Sequence, residues 1–343
     1  MSARRPPQKY EGPRIAALGG GTGLPAVLRA LRIVVGPSAP ADAITAVVAV
    51  TDDGGSSGQL RQQLQVLPPG DVRNCVAALA DDASPLAPLL QHRFAIGSGL
   101  GGHPVGNLML AALTQQLGGD FASAVDHLGR IAGISGRVLP ATADDVHLEA
   151  EYTTGEVIVG ESAIASRRLP IKRLALQRHV RPLPDVIAAI VNADAIIVGP
   201  GSLYTSILPV LLVDGIAATI SGLTIPRIYV ANLMTEPGET DGFTLDDHLA
   251  VIRQHTGSDL FDYVLVNRHP LAPDLVSRYG ANGSVPVNGY ERLTNAGAAR
   301  LIECDLAADD AGGKIRHEPL SLAAALRSVL PNKHASAPEE AIA

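Results

Sequence analysis

The sequence predicts an α/β fold: a mainly parallel sheet with helices on both faces and a small antiparallel excursion. Three observations carry that expectation. Short apolar runs rich in β-branched residues recur along the chain, as in the uncharged Ile44–Val50 and in Asp194–Val198. Each ends in a polar or glycine-rich loop, and several are followed by a helical pattern, the rhythm of repeated strand–loop–helix units. Of 343 residues, 46% are hydrophobic and 18% charged, with mean hydropathy +0.20, enough to bury a large core.

The elements follow in order. Residues 1–13 are polar and proline-bearing and read as a tail, 14–330 as the α/β unit, and 331–343 as a second tail. Arg14–Leu18 is an apolar strand that runs into Gly19-Gly20-Gly21-Thr22-Gly23, and Leu24–Leu31 carries a helical pattern. Ile44–Val50 is a buried strand. Asp71 reads as the N-cap of a helix running on through Val76–Leu79. An apolar helix covers Leu108–Leu117. Val146–Tyr152, a turn at Thr153–Gly155 and Glu156–Ser162 read as an antiparallel hairpin, with Lys172–Leu176 as a further strand. Asp194–Val198, Arg227–Ala231 and Asp262–Val266 complete the buried strands.

Composition excludes several classes. Twenty-seven Lys and Arg against 34 Asp and Glu give −7, so no global basic footprint for nucleic acid is expected. No apolar run reaches a membrane-spanning length, and no hydrophobic stretch follows Met1–Pro7, so the reading is a cytoplasmic chain without membrane insertion. Cys75 and Cys304 supply neither a disulfide framework nor zinc-finger spacing. Tryptophan is absent and aromatics are 3%, which argues against a stacking platform.

In an open parallel sheet, ligands bind beyond the carboxyl ends of the strands, so the loops there are the place to look. Gly19–Gly23 can bring backbone N–H groups and a helix N-terminus to a phosphate. It is neither a Walker loop nor a full dinucleotide fingerprint, since Leu24 stands at the third glycine position; a plain tight turn is the alternative. Thr51-Asp52-Asp53-Gly54-Gly55-Ser56-Ser57-Gly58 pairs acids suited to ribose, sugar or metal with anion donors. The alternative there is an exposed turn capped by an aspartate. In Pro69-Gly70-Asp71-Val72-Arg73-Asn74, Arg73 falls in a first helical turn, where the dipole disfavours a cation. An anionic ligand or a nearby acid would offset it.

Three more loops join them. His103 and Asn107 follow a glycine-rich stretch and can face one side of a helix start. Gly199-Pro200-Gly201-Ser202 through Ser206 is rich in hydroxyls, and Ser202 and Thr205 can cap a helix or bind phosphate. Asn232, Thr235 and Asp241 lie on another strand-end loop. Donors dominate, no nucleophile elbow or H-E-x-x-H zinc motif is present, and proton or metal handlers are few: Asp52, Asp53, His103 and Asp241. The inventory favours binding a phosphorylated ligand over a hydrolytic mechanism.

These blocks together resemble the CofD-like superfamily, and specifically its YvcK-type gluconeogenesis factors. The resemblance rests on Gly19–Gly23, Thr51–Gly58 with Leu60-Arg61, Pro69–Asn74, Gly106-Asn107, Gly136–Ala141, Gly199–Ser206 and Asn232–Thr235 through Gly238–Gly242, and covers residues 14–330. It implies a three-layer α/β/α Rossmann-like fold and cytoplasmic proteins that bind UDP-sugars, notably UDP-N-acetylglucosamine. Such proteins support cell shape and envelope synthesis under gluconeogenic growth, and the resemblance leaves room for homo-oligomers and envelope-synthesis partners. The sister branch, the 2-phospho-L-lactate transferases, moves a phospholactyl group with magnesium, so a metal-dependent transferase is the rival reading. Asp52 and Asp53 are its candidate Mg2+ ligands. A nicotinamide oxidoreductase is disfavoured by the incomplete glycine fingerprint. Ile315-Arg316-His317-Glu318 resembles a motif that relatives use at the nucleotide-sugar site; relatives often carry threonine next, where this chain has Pro319.

The candidate ligand residues are therefore Gly20, Gly21, Thr22, Gly23, Asp52, Asp53, Gly55, Ser56, Ser57, Arg73, Asn74, His103, Asn107, Gly201, Ser202, Thr205, Asn232, Thr235 and Arg316. No catalytic residue is assigned.

Overall fold

The computed structural model describes residues 10–97, 99–290, 297–309 and 313–331. Most of both predicted tails lies outside these residues. Twelve strands occur among them: β1 (Ile15–Gly19), β2 (Ile44–Val48), β3 (Arg137–Pro140), β4 (Leu148–Tyr152), β5 (Val157–Val159), β6 (Ile171–Leu176), β7 (Ala195–Val198), β8 (Arg227–Val230), β9 (Tyr263–Asn267), β10 (Arg300–Cys304), β11 (Ala307–Asp309) and β12 (Ile315–His317). Seven form one parallel sheet in the order β10-β9-β8-β7-β1-β2-β3. The chain builds outward from β1 in one direction, then returns to β7 and builds outward in the other. The β1–β7 junction is thus the switch point of the sheet.

Side-chain alternation makes two cores. On β1, Ile15 and Ala17 face one buried cluster while Ala16 and Leu18 face the other; on β7, Ala195 and Ile197 oppose Ile196 and Val198. Both faces need apolar cover, which helices supply. Leu24–Val35 buries Leu24, Val27, Leu28 and Leu31 against the first core and packs on the helices Gly70–Leu79 and Pro319–Val329. At ~1.5–3 kcal/mol for each large apolar side chain buried, this layering dominates the folding energy.

The antiparallel excursion has three strands in the order β5-β4-β6, with β4 in the middle. One correction concerns its second arm. The predicted strand Glu156–Ser162 stops at Val159, and Glu161 starts a helix, Glu161–Arg167. Gly160 turns the chain there at φ +101. A second correction concerns Asp71, which is not an N-cap. The helix Gly70–Leu79 starts after Pro69 without a side-chain cap, and Asp71 lies inside its first turn. β11 and β12 form a separate antiparallel ribbon. Among the described residues, no helix is long and apolar enough to cross a membrane.

Candidate functional site

Beyond the carboxyl ends of β1, β7 and β8 the strand-end loops surround a cleft of about 650 Å3, within the usual range for small-ligand sites. It lies where the sheet's switch point predicts. Gly21-Thr22-Gly23 line it after β1, Pro200-Gly201-Ser202 with Thr205 and Ser206 after β7, and Asn232 to Pro237 after β8. Tyr279, Asn282 and Ser284 add polar groups from the chain before β10, and Ile315-Arg316-His317 close the set from β12. Asp52, Asp71 and Glu161 bring acids to the same cleft.

Two glycines are demanded by geometry. Gly21 sits at φ +62, which side-chain-bearing residues rarely adopt. A Cβ on Gly23 would run into the Pro200 carbonyl, so this position lets the β1 and β7 loops close on one another. The helix Leu24–Val35 begins there with no side-chain cap; Pro25 has no N–H, and the Ala26 N–H donates to the Gly23 carbonyl at 3.0 Å. The Gly21 N–H, however, donates to Asp71 Oδ2 at 2.6 Å.

The acids divide into two groups. Burial pushes the Asp71 carboxyl up to about 6, with the Gly21 N–H opposing and Asp52 adding to the rise. Burial also raises Glu161 well above the usual range, helped by Asp52 and Asp71, although its Oε2 accepts from Thr51 Oγ1 at 2.9 Å. On the β7 side, Glu239 accepts the Ser202 hydroxyl and, at 3.3 Å, that of Thr205. Burial and then neighbouring Glu236 raise Glu239 to about 7. Ser202 stands at the N-cap position of the turn Leu203–Ile207, but its side chain makes no capping bond; its proton and that of Thr205 go to Glu239. Opposite, Arg316 donates to Thr22 Oγ1 at 3.0 Å. His317 donates from Nε2 to the Ala231 carbonyl at 3.1 Å, and burial holds its imidazole down at about 4, hence neutral.

The structure separates the sequence-predicted residues. Gly21, Thr22, Gly23, Asp52, Gly201, Ser202, Thr205, Asn232, Thr235 and Arg316 line the cleft. The others lie outside its lining. Gly20 packs tightly, with space for a Cβ already taken by Asp71 and Ala49. Asp53 Oδ1 accepts the Ser162 N–H at 2.8 Å, and Ser57 Oγ accepts that of Gly70 at 3.2 Å. Gly55 opens the helix Gly55–Leu64. Arg73, Asn74, His103, Asn107 and Ser56 form one polar cluster. Arg73 donates to Asn107 Oδ1 at 3.2 Å and Asn74 Oδ1 at 2.6 Å; Asn107 donates to Ser56 Oγ at 3.0 Å, which also meets His103 Nδ1 at 2.8 Å. Arg73 is only 5% exposed, so burial, with Arg93 nearby, lowers it to about 10. Asp241 accepts the Gly238 N–H and shapes its loop.

Sequence reasoning missed Asp71, Glu161, Ser206, Glu236, Tyr279, Asn282, Ser284 and His317 as cleft residues. Asp71, Ser206 and His317 lay inside motifs already singled out but were not assigned to the ligand; Glu161 was hidden by its assignment to a strand. The fit of a divalent ion is poor as the side chains stand: no trio of His, Cys, Asp or Glu among the described residues is arranged to hold one. Asp52 and Asp53, the candidate ligands, instead accept backbone N–H groups from Gly54 and Ser162.

A seven-stranded parallel sheet with a cleft at its switch point, walled by a glycine loop, an arginine and hydroxyls, defines a Rossmann-like α/β protein. Comparison with known proteins sharpens the class. The profile of the family described as 2-phospho-L-lactate transferase CofD matches residues 15–306. The gluconeogenesis factor of Bacillus subtilis is 45% identical over 277 residues, 80% of this chain and 85% of that one. The gluconeogenesis factor of Listeria monocytogenes is 39% identical over 333 residues, 95% of this chain and 98% of that one. A crystal structure of a UPF0052 family protein from Bacillus halodurans superposes with TM-score 0.85 at 39% identity, covering 92% of this chain and 99% of that one. The chain belongs to the CofD-like family, in its gluconeogenesis-factor branch.

Proposed function

We propose that the chain is a UDP-sugar-binding regulatory factor, with UDP-N-acetylglucosamine as its ligand, that serves cell shape and envelope synthesis during gluconeogenic growth in the cytoplasm. The carrying observation is the pairing of Arg316 with Thr22 across the glycine loop, which sets a guanidinium beside the start of a helix at the cleft, suited to a diphosphate. The ligand acts by favouring one conformation over another, which requires unequal affinity for the two. Calorimetry with UDP-N-acetylglucosamine, followed by long incubation with Mg2+ and mass spectrometry of the small molecules, tests this. Saturable binding with intact ligand is the expected result; no binding overturns it.

A second reading, a metal-dependent transferase of a phosphorylated group, is favoured by the match to the transferase family, although Asp52, Asp71 and Glu161 at the cleft form no trio arranged to hold an ion. Protein-dependent loss of the nucleotide-sugar, or a new phosphodiester in the presence of cell-extract acceptors, would select it.

A further inference from the structure

Asn232 follows β8 and lines the cleft while only 9% exposed. Its amide orientation is fixed: Nδ2 donates to the Gly201 carbonyl at 2.8 Å. Turning the amide over would set two oxygens against each other, so Oδ1 must point the other way. That oxygen is buried and has no hydrogen-bond donor among the described residues. A buried acceptor without a donor is costly, and native proteins keep few of them.

The surrounding groups share this polarity. Neutral His317 spends its one N–H on the Ala231 carbonyl, which leaves Nδ1 a lone pair. Ser284 spends its proton on the Thr235 carbonyl at 2.5 Å, leaving oxygen lone pairs. Donors nearby come from Tyr279, whose oxygen accepts the Ile315 N–H at 3.1 Å and keeps its own proton. His317 Nδ1 and Ser284 Oγ thus add lone pairs to the lining that Asn232 Oδ1 shares.

We infer that Asn232 Oδ1 is the specificity-determining acceptor of the cleft and takes a hydrogen bond from an amide-type N–H of the ligand. The inference rests on the nucleotide-sugar reading and deepens it. Two parts of such a ligand carry this chemistry, the imide N3–H of uracil and the N–H of an acetamido sugar. Cytosine, which presents a bare nitrogen where uracil presents N3–H, would set lone pair against lone pair at the same point.

The test uses the whole chain and calorimetry with three probes: UDP-N-acetylglucosamine, its N3-methyluracil analogue and UDP-glucose. Wild type should lose about ten- to hundred-fold affinity for the one analogue that lacks the relevant N–H. Which analogue suffers identifies the source of the donor. In Asn232→Leu, parent and analogue should bind alike. Equal binding of all three probes by wild type overturns the inference and leaves the UDP-sugar reading standing. Undiminished discrimination in folded Asn232→Leu overturns the role of Asn232. Failure of wild type to bind the parent ligand overturns both. If Asn232→Leu does not fold, the wild-type comparison alone decides.

Discussion

The main-chain N–H of Gly21 donates to the Asp71 carboxylate at 2.6 Å, across 50 residues of sequence. The carboxylate therefore occupies the N–H that a glycine loop would otherwise offer to a phosphate. It ties the turn after β1 to the helix Gly70–Leu79, and a negative ligand at the loop meets its charge.

Ligand affinity should consequently depend on the protonation of Asp71. Its carboxyl, raised by burial to about 6, loses its charge as pH falls below that value. The diphosphate of UDP-N-acetylglucosamine keeps its charge over the same range. Affinity is expected to rise roughly tenfold from pH 7.5 to 5.5, the size of one relieved like-charge contact. Asp71→Asn should bind more tightly at pH 7.5, with a flatter profile. A variant whose calorimetric pH profile superimposes on that of wild type would remove Asp71 from this role.

Stability should show the signature of Glu239. Its carboxyl moves from 4.5 in the unfolded chain to about 7 in the folded protein, chiefly through burial. A folded-state value above the unfolded one means that the stabilising contribution is present in full below 4.5 and is lost as pH rises through about 7. Glu239→Gln removes that loss and retains an oxygen for Ser202 and Thr205. The melting temperature of the variant should gain on wild type between pH 5 and 8, the span corresponding to on the order of 3 kcal/mol at most. A gap independent of pH would show that the acid is already charged at pH 5.

The core of the fold was legible in the sequence, and its edges were not. β1, β2, β7, β8 and β9 lie between two apolar layers and read as β-branched apolar runs, charged at most at the first residue. β3 and β10 are the edges of the sheet: β3 begins with half-buried Arg137 and ends in Pro140, and β10 flanks Leu301 and Ile302 with exposed Arg300 and Glu303 and has no fully buried residue. Strand-end loops could be recognised one by one from their glycines and hydroxyls. Their division into a cleft and a separate Arg73 cluster could not, since it depends on where helices Gly55–Leu64 and Val105–Gln116 turn their polar groups. Asp71 illustrates the limit: local pattern made it a cap, and a contact 50 residues away made it a partner of Gly21.

Arg73 is the residue for which that division makes the sharpest difference. It bridges two amide oxygens, Asn107 Oδ1 and Asn74 Oδ1, with separate nitrogens of one planar group. A lysine ammonium cannot span both in that geometry. Arg73→Lys should lower stability by about 1–3 kcal/mol, the cost of leaving a buried polar partner unmatched, read as a drop in thermal midpoint. Affinity for UDP-N-acetylglucosamine should stay within twofold of wild type. A tenfold loss of affinity in a variant of unchanged stability would return Arg73 to the ligand site.

Arg316 carries the opposite expectation. Its guanidinium donates to Thr22 Oγ1 at 3.0 Å, joining β12 to the first glycine loop across 294 residues. Because the donor is charged and lies on the cleft, it can leave Thr22 for a phosphate oxygen, gaining a stronger, charge-assisted bond. Such a bond contributes about 1.5–3 kcal/mol. Arg316→Ala should thus weaken UDP-N-acetylglucosamine binding about ten- to hundred-fold and reduce the salt dependence of the affinity, since screening acts on the charge pair that is lost. Thr22→Ala separates the two partners of the contact. If Thr22 serves only as the resting partner of Arg316, that variant keeps the salt dependence of wild type and loses little affinity. The measurement is calorimetric titration of the three proteins at low and high salt. Equal salt slopes for wild type and Arg316→Ala would mean that Arg316 does not reach the diphosphate and holds only the loop.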